Sequence, residues 1–133
     1  MAVADIMTTS IVSVSPEETM EVMRKLLKSH KIHHLLVLEQ QQLIGIISDR
    51  DILRTISPYV GTRVESEKDT FTLTRKAHQI MTSNPVTISP HATIQQAAKC
   101  LIDNKVSLLP VVNDKQQAVG VLSWKDVLKF LID

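Results

Sequence analysis

The stretch Gly45-Ile46-Ile47-Ser48-Asp49-Arg50-Asp51 joins the end of an apolar segment to the start of an amphipathic one. It recurs as Gly120-Val121-Leu122-Ser123-Trp124-Lys125-Asp126, and the two are called here the first motif and the second motif. In both, the aliphatic pair predicts a buried strand that ends at the serine, and a helix follows. A serine and an acidic residue three positions later cap a helix start, and the free N–H groups there also attract anions. Each motif is therefore either a cap alone or a cap that also contacts a ligand.

The two motifs belong to a longer internal repeat. Ile6-Met7-Thr8 returns 74 residues later as Ile80-Met81-Thr82, and Ser15-Pro16 returns at the same offset as Ser89-Pro90. At the motifs the offset is 75, because the second copy has one more residue in the preceding turn. Ordered matches of this kind predict a tandem repeat. The predicted bounds are residues 1–56 for the first repeat, 57–76 for a linker and 77–133 for the second repeat.

Each repeat reads as strand, helix, strand, strand, helix. Ser15, Pro16 and Glu18 form a capping-box pattern that predicts a helix over residues 16–30, and Ser89-Pro90 predicts its counterpart over residues 90–104. Short strands precede these helices, and two hairpins lead into the motifs. The glycine of each motif is interpreted as closing its hairpin turn. The predicted strands cover residues 11–14, 35–38 and 43–47, and then 86–88, 108–112 and 119–122.

Composition limits the possible functions. The 133 residues are 44% hydrophobic and 22% charged, with a formal net charge of +1 and only 3% aromatic residues. A near-zero net charge and few aromatic residues argue against nucleic-acid binding. Three glycines do not allow a phosphate-binding glycine-rich loop, and no catalytic motif is present. The lone Cys100 and the absence of a long apolar run predict a cytoplasmic protein. The missing catalytic motifs predict that it is not an enzyme.

Several phrases of the sequence resemble one family. They are the two motifs, the opening phrases Asp5–Thr8 and Gln79–Thr82, and the middle phrases Lys31–Leu35 and Val106–Val112. Together they are similar to the cystathionine-β-synthase (CBS) domain, and two in tandem resemble a Bateman module. The resemblance implies a mixed α/β (α+β) fold of two pseudo-twofold-related repeats, each with a small three-stranded sheet and two packed helices. It also implies a homodimer that binds an adenosyl compound in clefts between the repeats and regulates a separate protein.

The resemblance assigns roles to the motif side chains. In that family the aspartate accepts hydrogen bonds from ribose hydroxyls, and the serine lies near the phosphate. Ser48 and Asp51 would then serve one site, and Ser123 and Asp126 the other. An ionised carboxylate suits this role because it only accepts hydrogen bonds. The implied ligands are AMP, ADP, ATP or S-adenosylmethionine, with no prosthetic group.

One of the two histidines at the start of the middle strand of the first repeat would supply the basic group that reaches phosphate in the family, unless both are simply a partly exposed pair. His33 and His34 are adjacent on a strand, so their side chains are expected on opposite faces. The second repeat has Ser107 and Leu108 at these positions, so the two sites are expected to be unequal. A metal site that includes His30 is the alternative, but diverging side chains without a cysteine or acidic ligand argue against it.

The remaining candidates would contact the base. Thr8 and Thr82 offer polar groups, although each is equally well explained as the end of a helix or strand. The aliphatic candidates are equally suited to a hydrophobic core: Ile11, Val12, Ile46, Ile47, Pro85, Val86, Val121 and Leu122. A structural homodimer without a specific ligand therefore remains the alternative function.

Overall fold

The long helices and the two hairpins follow the predicted order of the repeats, but the predicted strand over residues 86–88 is reduced to a single bridge at Ile88. The computed structural model describes all 133 residues. Its helices are α1 (Met20–His30), α2 (Asp49–Thr55), α3 (Glu67–Phe71), α4 (Ala77–Ile80), α5 (Ile94–Asn104) and α6 (Trp124–Ile132). Its strands are β1 (Ser13–Val14), β2 (His34–Glu39), β3 (Gln42–Ser48), β4 (Thr82–Ser83), β5 (Leu108–Val112) and β6 (Ala118–Ser123). The predicted mixed α/β fold is confirmed.

The strands form one four-stranded and one two-stranded sheet. The first has the order β1-β2-β3-β4, with β1 parallel to β2 and β3 antiparallel to β4. In the second, β5 and β6 are antiparallel, and single bridges add Ile88 beside Val111 and Thr8 beside Val121. Neither sheet is the plain three-stranded sheet that was expected. The difference arises because the Ile-Met-Thr phrases lie along the strands that lead into the motifs.

The chain divides into two compact units, each named here by the motif it contains. The first-motif unit comprises Val12–Glu39 and Ile44–Asn84, and the second-motif unit comprises Met1–Ile11, Gln40–Leu43 and Pro85–Asp133. Each unit therefore combines the helices of one repeat with the opening phrase of the other. Fully buried Ala77 lies in the core of the first-motif unit, and fully buried Val3 lies in the core of the second-motif unit.

Equivalent hydrogen bonds hold the residues just before each opening phrase in their unit. The Ala77 N–H donates to the Glu18 carbonyl at 2.8 Å, and the Val3 N–H donates to the Ala92 carbonyl at 2.8 Å. Positions 3 and 77, like positions 18 and 92, are related by the offset of 74. Both repeats thus use the same backbone groups to hold the opening phrase of the other repeat.

The long helices begin later than the sequence predicts. Thr19 caps α1 and Thr93 caps α5, whereas the predicted starts at Ser15-Pro16 and Ser89-Pro90 form turns. The Glu18 carbonyl is already bonded to the opening phrase, and the Met20 N–H donates to the Arg75 carbonyl at 2.7 Å. The helical ladder cannot include backbone groups that pair elsewhere, so each helix starts after them.

The motif glycines do not close the hairpin turns, so that prediction was wrong. Gly45 lies within β3 and Gly120 within β6. A Cβ atom built on Gly120 would lie 2.6 Å from the Met7 sulfur and 2.9 Å from the Thr8 carbonyl oxygen. A Cβ on Gly45 would meet the Met81 sulfur in the same way. Both glycines are needed because another backbone segment lies directly against the strand.

Candidate functional site

Both motifs form complete capping boxes, as predicted. In the first, the Ser48 N–H donates to Asp51 Oδ2 at 2.8 Å and the Asp51 N–H donates to Ser48 Oγ at 3.2 Å. In the second, the corresponding distances for Ser123 and Asp126 are 2.9 Å and 3.2 Å. The serine and aspartate of each motif are thus fixed beside a helix start, where the dipole favours negative charge.

Capping leaves part of each carboxylate free. Only Oδ2 of Asp51 and of Asp126 accepts a backbone hydrogen bond. Oδ1 of Asp51 has a single charged neighbour, the Arg54 guanidinium at 4.0 Å, and the Asp51 side chain is 20% exposed. A carboxylate oxygen has lone pairs for more than one donor. The geometry therefore leaves each aspartate able to accept hydroxyl hydrogen bonds while it caps its helix.

The two histidines His33 and His34 lie close to the start of α2, next to the first motif. The Asp49 N–H donates to the His33 carbonyl at 2.9 Å, and this bond holds the start of β2 against the start of α2. The His33 ring Nδ1 lies 2.8 Å from Asp49 Oδ2; the His33 side chain is largely exposed, whereas Asp49 is half-buried. Asp49 was not a predicted site residue. Its position directly after the motif serine was the signal that could have identified it.

His34 is half-buried and has a different environment from exposed His33. Burial lowers the pKa of the His34 imidazole, and the Asp49 carboxylate partly opposes that effect by favouring the cation. The Asp51 carboxylate acts in the same direction as Asp49, and Arg50 in the opposite one. An anionic ligand beside His34 would favour the protonated form and so raise this pKa.

The second motif lacks a basic group of this kind. The Trp124 N–H donates to the Ser107 carbonyl at 3.1 Å, which repeats the backbone contact made by His33 and Asp49. The Lys125 ammonium lies 5.9 Å from the centre of the Trp124 ring, within range of a cation–π contact. Ser107 and Leu108 stand where the first repeat has histidines. The two motifs therefore have unequal electrostatic surroundings.

The threonine of each opening phrase pairs with the strand that contains the motif of the other repeat. Thr82 lies opposite Ile46 in the β3–β4 pair. Thr8 and Val121 exchange two backbone hydrogen bonds of 2.9 Å. Both threonine side chains are exposed, and both aliphatic partners are half-buried. The structure thus groups Thr82 and Ile46 with the first motif, and Thr8 and Val121 with the second.

The other aliphatic candidates divide between core and surface. Ile47 is fully buried in the core of the first-motif unit, so its side chain is not available to a ligand. Val12 is partly buried and packs on the same core. Ile11 and Pro85 are half-buried and belong to the second-motif unit. Of the motif isoleucines, Ile46 alone keeps an accessible side chain.

Two other kinds of site are not found. No group of three or more His, Cys, Asp or Glu side chains is arranged to hold a metal ion. The histidine–carboxylate contacts are pairs, His33 with Asp49 at 2.8 Å and His78 with Glu17 at 3.7 Å. None of the helices has the length and apolar character that a membrane crossing requires.

Comparison with known proteins agrees with the presence of two repeats. The sequence profile of the CBS domain matches residues 3–58 and 77–133. The chain belongs to the CBS domain family. A CBS domain-containing protein of Dictyostelium discoideum is 34% identical over 132 residues, covering 98% of this chain and 90% of the relative. The CBS domain-containing protein YhcV of Bacillus subtilis is 29% identical and covers 95% and 82% of the two chains.

Solved structures share the fold. CBSX2 in complex with AMP has a TM-score of 0.83 at 24% identity, covering 98% of this chain and 96% of that one. The CBS domain pair of MJ0100, in complex with 5'-methylthioadenosine and S-adenosyl-L-methionine, has a TM-score of 0.80 at 22% identity and covers 98% and 95%. The CBS pair is also similar to part of a larger enzyme. The inosine-5'-monophosphate dehydrogenase of Korarchaeum cryptofilum is 32% identical over 117 residues, only 21% of that enzyme.

Proposed function

We propose that this CBS pair is a regulatory module that binds an adenine nucleotide or adenosyl compound at its motifs. The observation that carries the proposal is the partly free carboxylate in each motif, fixed at a helix start beside a serine hydroxyl. Such a pair provides acceptors for a ribose diol, and the helix start favours a phosphate. Solved CBS pairs in complex with AMP or with adenosyl compounds add support from the fold.

The first motif is proposed as the stronger site for a phosphate. His33 and His34 lie near Asp49, the first residue of α2, whereas the second repeat has Ser107 and Leu108 at the positions of these histidines. Thr82 and Ile46 would contact the base at the first motif, and Thr8 and Val121 at the second. A compound without phosphate, such as S-adenosylmethionine, would depend less on the histidines. Binding would shift the population of conformations that a separate regulated protein recognises.

A homodimer is proposed as the working form. Helix α6 has an exposed apolar face that is not covered within the chain, formed by Trp124, Leu128, Leu131 and Ile132. Of these, Ile132 is 82% exposed and Leu131 is 69% exposed. Adjoining apolar side chains of this size are typical of surfaces that bind another protein. A structural homodimer that uses this face and has no specific ligand is the second candidate function.

The ribose assignment predicts that each aspartate is needed at its own motif. We expect Asp51→Ala to weaken AMP binding at the first motif, and Asp126→Ala to do so at the second, because each removes the carboxylate acceptor. Binding is measured by calorimetry and by the rise in melting temperature with AMP, ADP, ATP, S-adenosylmethionine and NAD. A ligand at one hundred times its Kd stabilises the folded state by about 2.7 kcal/mol.

A matched control separates lost capping from lost binding. At the start of α3 in the linker, Asp69 Oδ2 accepts a hydrogen bond of 2.8 Å from the Ser66 N–H, as Asp51 does from Ser48, and Asp69 Oδ1 also accepts one of 2.6 Å from the Ser57 hydroxyl. Asp69→Ala removes a cap and is expected to leave ligand binding unchanged. Full affinity in both Asp51→Ala and Asp126→Ala would refute the ribose assignment. A folded dimer that responds to none of the compounds would favour the purely structural role.

A further inference from the structure

The half-buried histidine of the first-motif unit, His34, has a ring without a partner in the chain. It begins β2, and no hydrogen bond or ion pair involves its ring, whereas His33 pairs with Asp49 at 2.8 Å. No side-chain nitrogen of the chain is fully buried without a hydrogen bond, so both nitrogens of the His34 ring reach solvent. The ring is therefore free to gain a proton or a hydrogen bond when a ligand binds beside it.

The charged groups that act on His34 belong to the first motif and the residue before β2. Burial is the main factor that lowers the pKa of its imidazole; the Asp49 and Asp51 carboxylates favour the imidazolium, and His33 and Arg50 oppose it. The strands on either side, β1 and β3, carry no charged residue, and α1, which also packs on β2, contributes none of these groups. His34 thus lies within electrostatic range of Asp51, the carboxylate proposed to bind the ribose.

The fixed charges of the two motif helices differ. The first six residues of α2 contain two aspartates and two arginines, whose formal charges sum to zero. The first six residues of α6 contain two lysines and one aspartate, whose formal charges sum to +1. A phosphate at the second motif therefore meets a net positive charge without any change of protonation. At the first motif, the additional positive charge has to come from a histidine.

We propose that His34 takes up a proton from the solvent when a phosphorylated adenosyl compound binds at the first motif, so that binding there strengthens as the pH falls. The inference rests on the proposed function, because it concerns the same motif. A phosphate beside the ring stabilises the imidazolium and accepts a charge-assisted hydrogen bond from it. The second repeat has Leu108 at the equivalent position and cannot respond in this way.

The sign of the pH dependence follows from the proton count. The complex at the first motif binds one proton more than the free protein, so affinity rises as the pH falls and is lost as the pH rises past the pKa of His34 in the complex. The preference of a phosphate for the first motif therefore holds only while His34 is able to carry a proton. Adenosine, which has no phosphate, is expected to bind without proton uptake.

Calorimetry of AMP binding to the full chain measures the proton uptake directly. Titrations in two buffers of different ionisation enthalpy give the number of protons taken up for each AMP bound. They are made at about pH 7.5, where a phosphate monoester with a second pKa of about 6 is already dianionic. The Asp126→Ala variant leaves mainly the first motif to report, and Asp51→Ala leaves mainly the second.

We expect net proton uptake at the first motif and none at the second. The affinity of the first motif for AMP is expected to weaken about threefold to tenfold per pH unit between about pH 7 and about pH 8. His34→Gln is expected to abolish both the uptake and this pH dependence. His91→Gln is the matched control, because His91 is exposed and lies before α5, in the other unit.

Failure of this inference is distinguishable from failure of the proposed function. AMP binding at the first motif without proton uptake would overturn the inference alone, as would equal uptake at both motifs. An uptake that persists in His34→Gln and disappears in His33→Gln would also overturn it, because the proton would then belong to His33. Absence of AMP binding at every pH would refute the inference together with the proposed function. The proton count of the parent protein is decisive even if His34→Gln does not fold.

Discussion

Gly45 and Gly120 permit a close approach of two backbone segments at the strand that leads into each motif. The Thr8 carbonyl oxygen would lie 2.9 Å from a Cβ on Gly120, and the Thr82 carbonyl oxygen 3.1 Å from one on Gly45. Backbone atoms cannot move aside as the end of a side chain can. These glycines consequently determine whether the opening phrase of one repeat can join the motif of the other.

Gly45→Ala is expected to lower the free energy of unfolding by roughly 1–3 kcal/mol, because the added methyl group overlaps Met81 and the Thr82 backbone. Urea denaturation measures the change. Gly61→Ala is the control, since a Cβ there meets nothing within 4 Å and only the positive φ of 79° resists the substitution. If Gly45→Ala were as stable as the parent, the close contact would not exist in solution.

His34 gives the protein a predictable response to pH. Burial lowers its pKa from the ordinary value of 6.5, so the unfolded chain binds a proton at a pH where the folded chain does not. The free energy of unfolding must therefore fall as the pH drops below about 6.5. We expect His34→Gln to lose part of this dependence in denaturation curves at about pH 8 and about pH 5.5. The exposed His91→Gln variant serves as control, and an unchanged pH profile in His34→Gln would contradict the interpretation.

At the level of the elements, helix starts depend on which backbone groups remain free. The sequence predicts Ser15 with Glu18 as the cap of the first long helix, whereas the structure has Thr19 as the cap. The Glu18 carbonyl is bonded to Ala77, which removes it from the helix and leaves Thr19 as the cap. In the second repeat, Thr93 and Gln96 form a complete box with bonds of 2.9 and 3.0 Å.

Two substitutions test these helix starts, one of a residue that caps a helix in the structure and one of a residue that the sequence predicted as a cap. Thr93→Ala is expected to cost about 1 kcal/mol of the free energy of unfolding, because a complete capping box is lost. Ser15→Ala is expected to remain within about 0.5 kcal/mol of the parent, because its side chain caps no helix in the structure. Thermal or urea unfolding of both variants measures this. A larger loss for Ser15→Ala would show that α1 begins where the sequence alone predicts.

On the scale of the whole molecule, the two compact units do not coincide with the two repeats of the sequence. Sequence order assigns Val3 to the first repeat, yet it is fully buried in the core that contains Leu109 and Leu122. Ala77 begins the second repeat and is buried with Leu35 and Val37. The stability of each unit therefore depends on a segment that lies far away in the chain.

Val3→Ala is expected to destabilise the second-motif unit by about 2 kcal/mol, because buried methyl groups are removed from its core. Hydrogen exchange should then show a larger loss of amide protection at Leu109 and Leu122 than at Leu35 and Val37. Val64→Ala is the control, since Val64 is 66% exposed. Greater loss of protection at Leu35 and Val37 would contradict the composition of the units.

The candidate site could be predicted in part. The sequence identified Ser48, Asp51, Ser123 and Asp126 because a capping box is a local pattern with a fixed spacing, and the structure contains both boxes. It could not separate Ile46 from Ile47, because both are aliphatic and only the orientation of β3 decides which is buried. Nor could it pair Thr82 with Ile46, because the two residues lie in different repeats.

The sequence by itself determined the repeat, the order of helices and strands and the family, because these depend on local periodicity and on matches at constant offset. Only the tertiary structure decided where α1 and α5 begin, why the motif glycines are needed and which opening phrase completes each unit. All three depend on hydrogen bonds and close contacts between residues about 35 to 115 positions apart in the chain. Local patterns do not record such contacts, because each partner segment taken alone is equally compatible with other pairings.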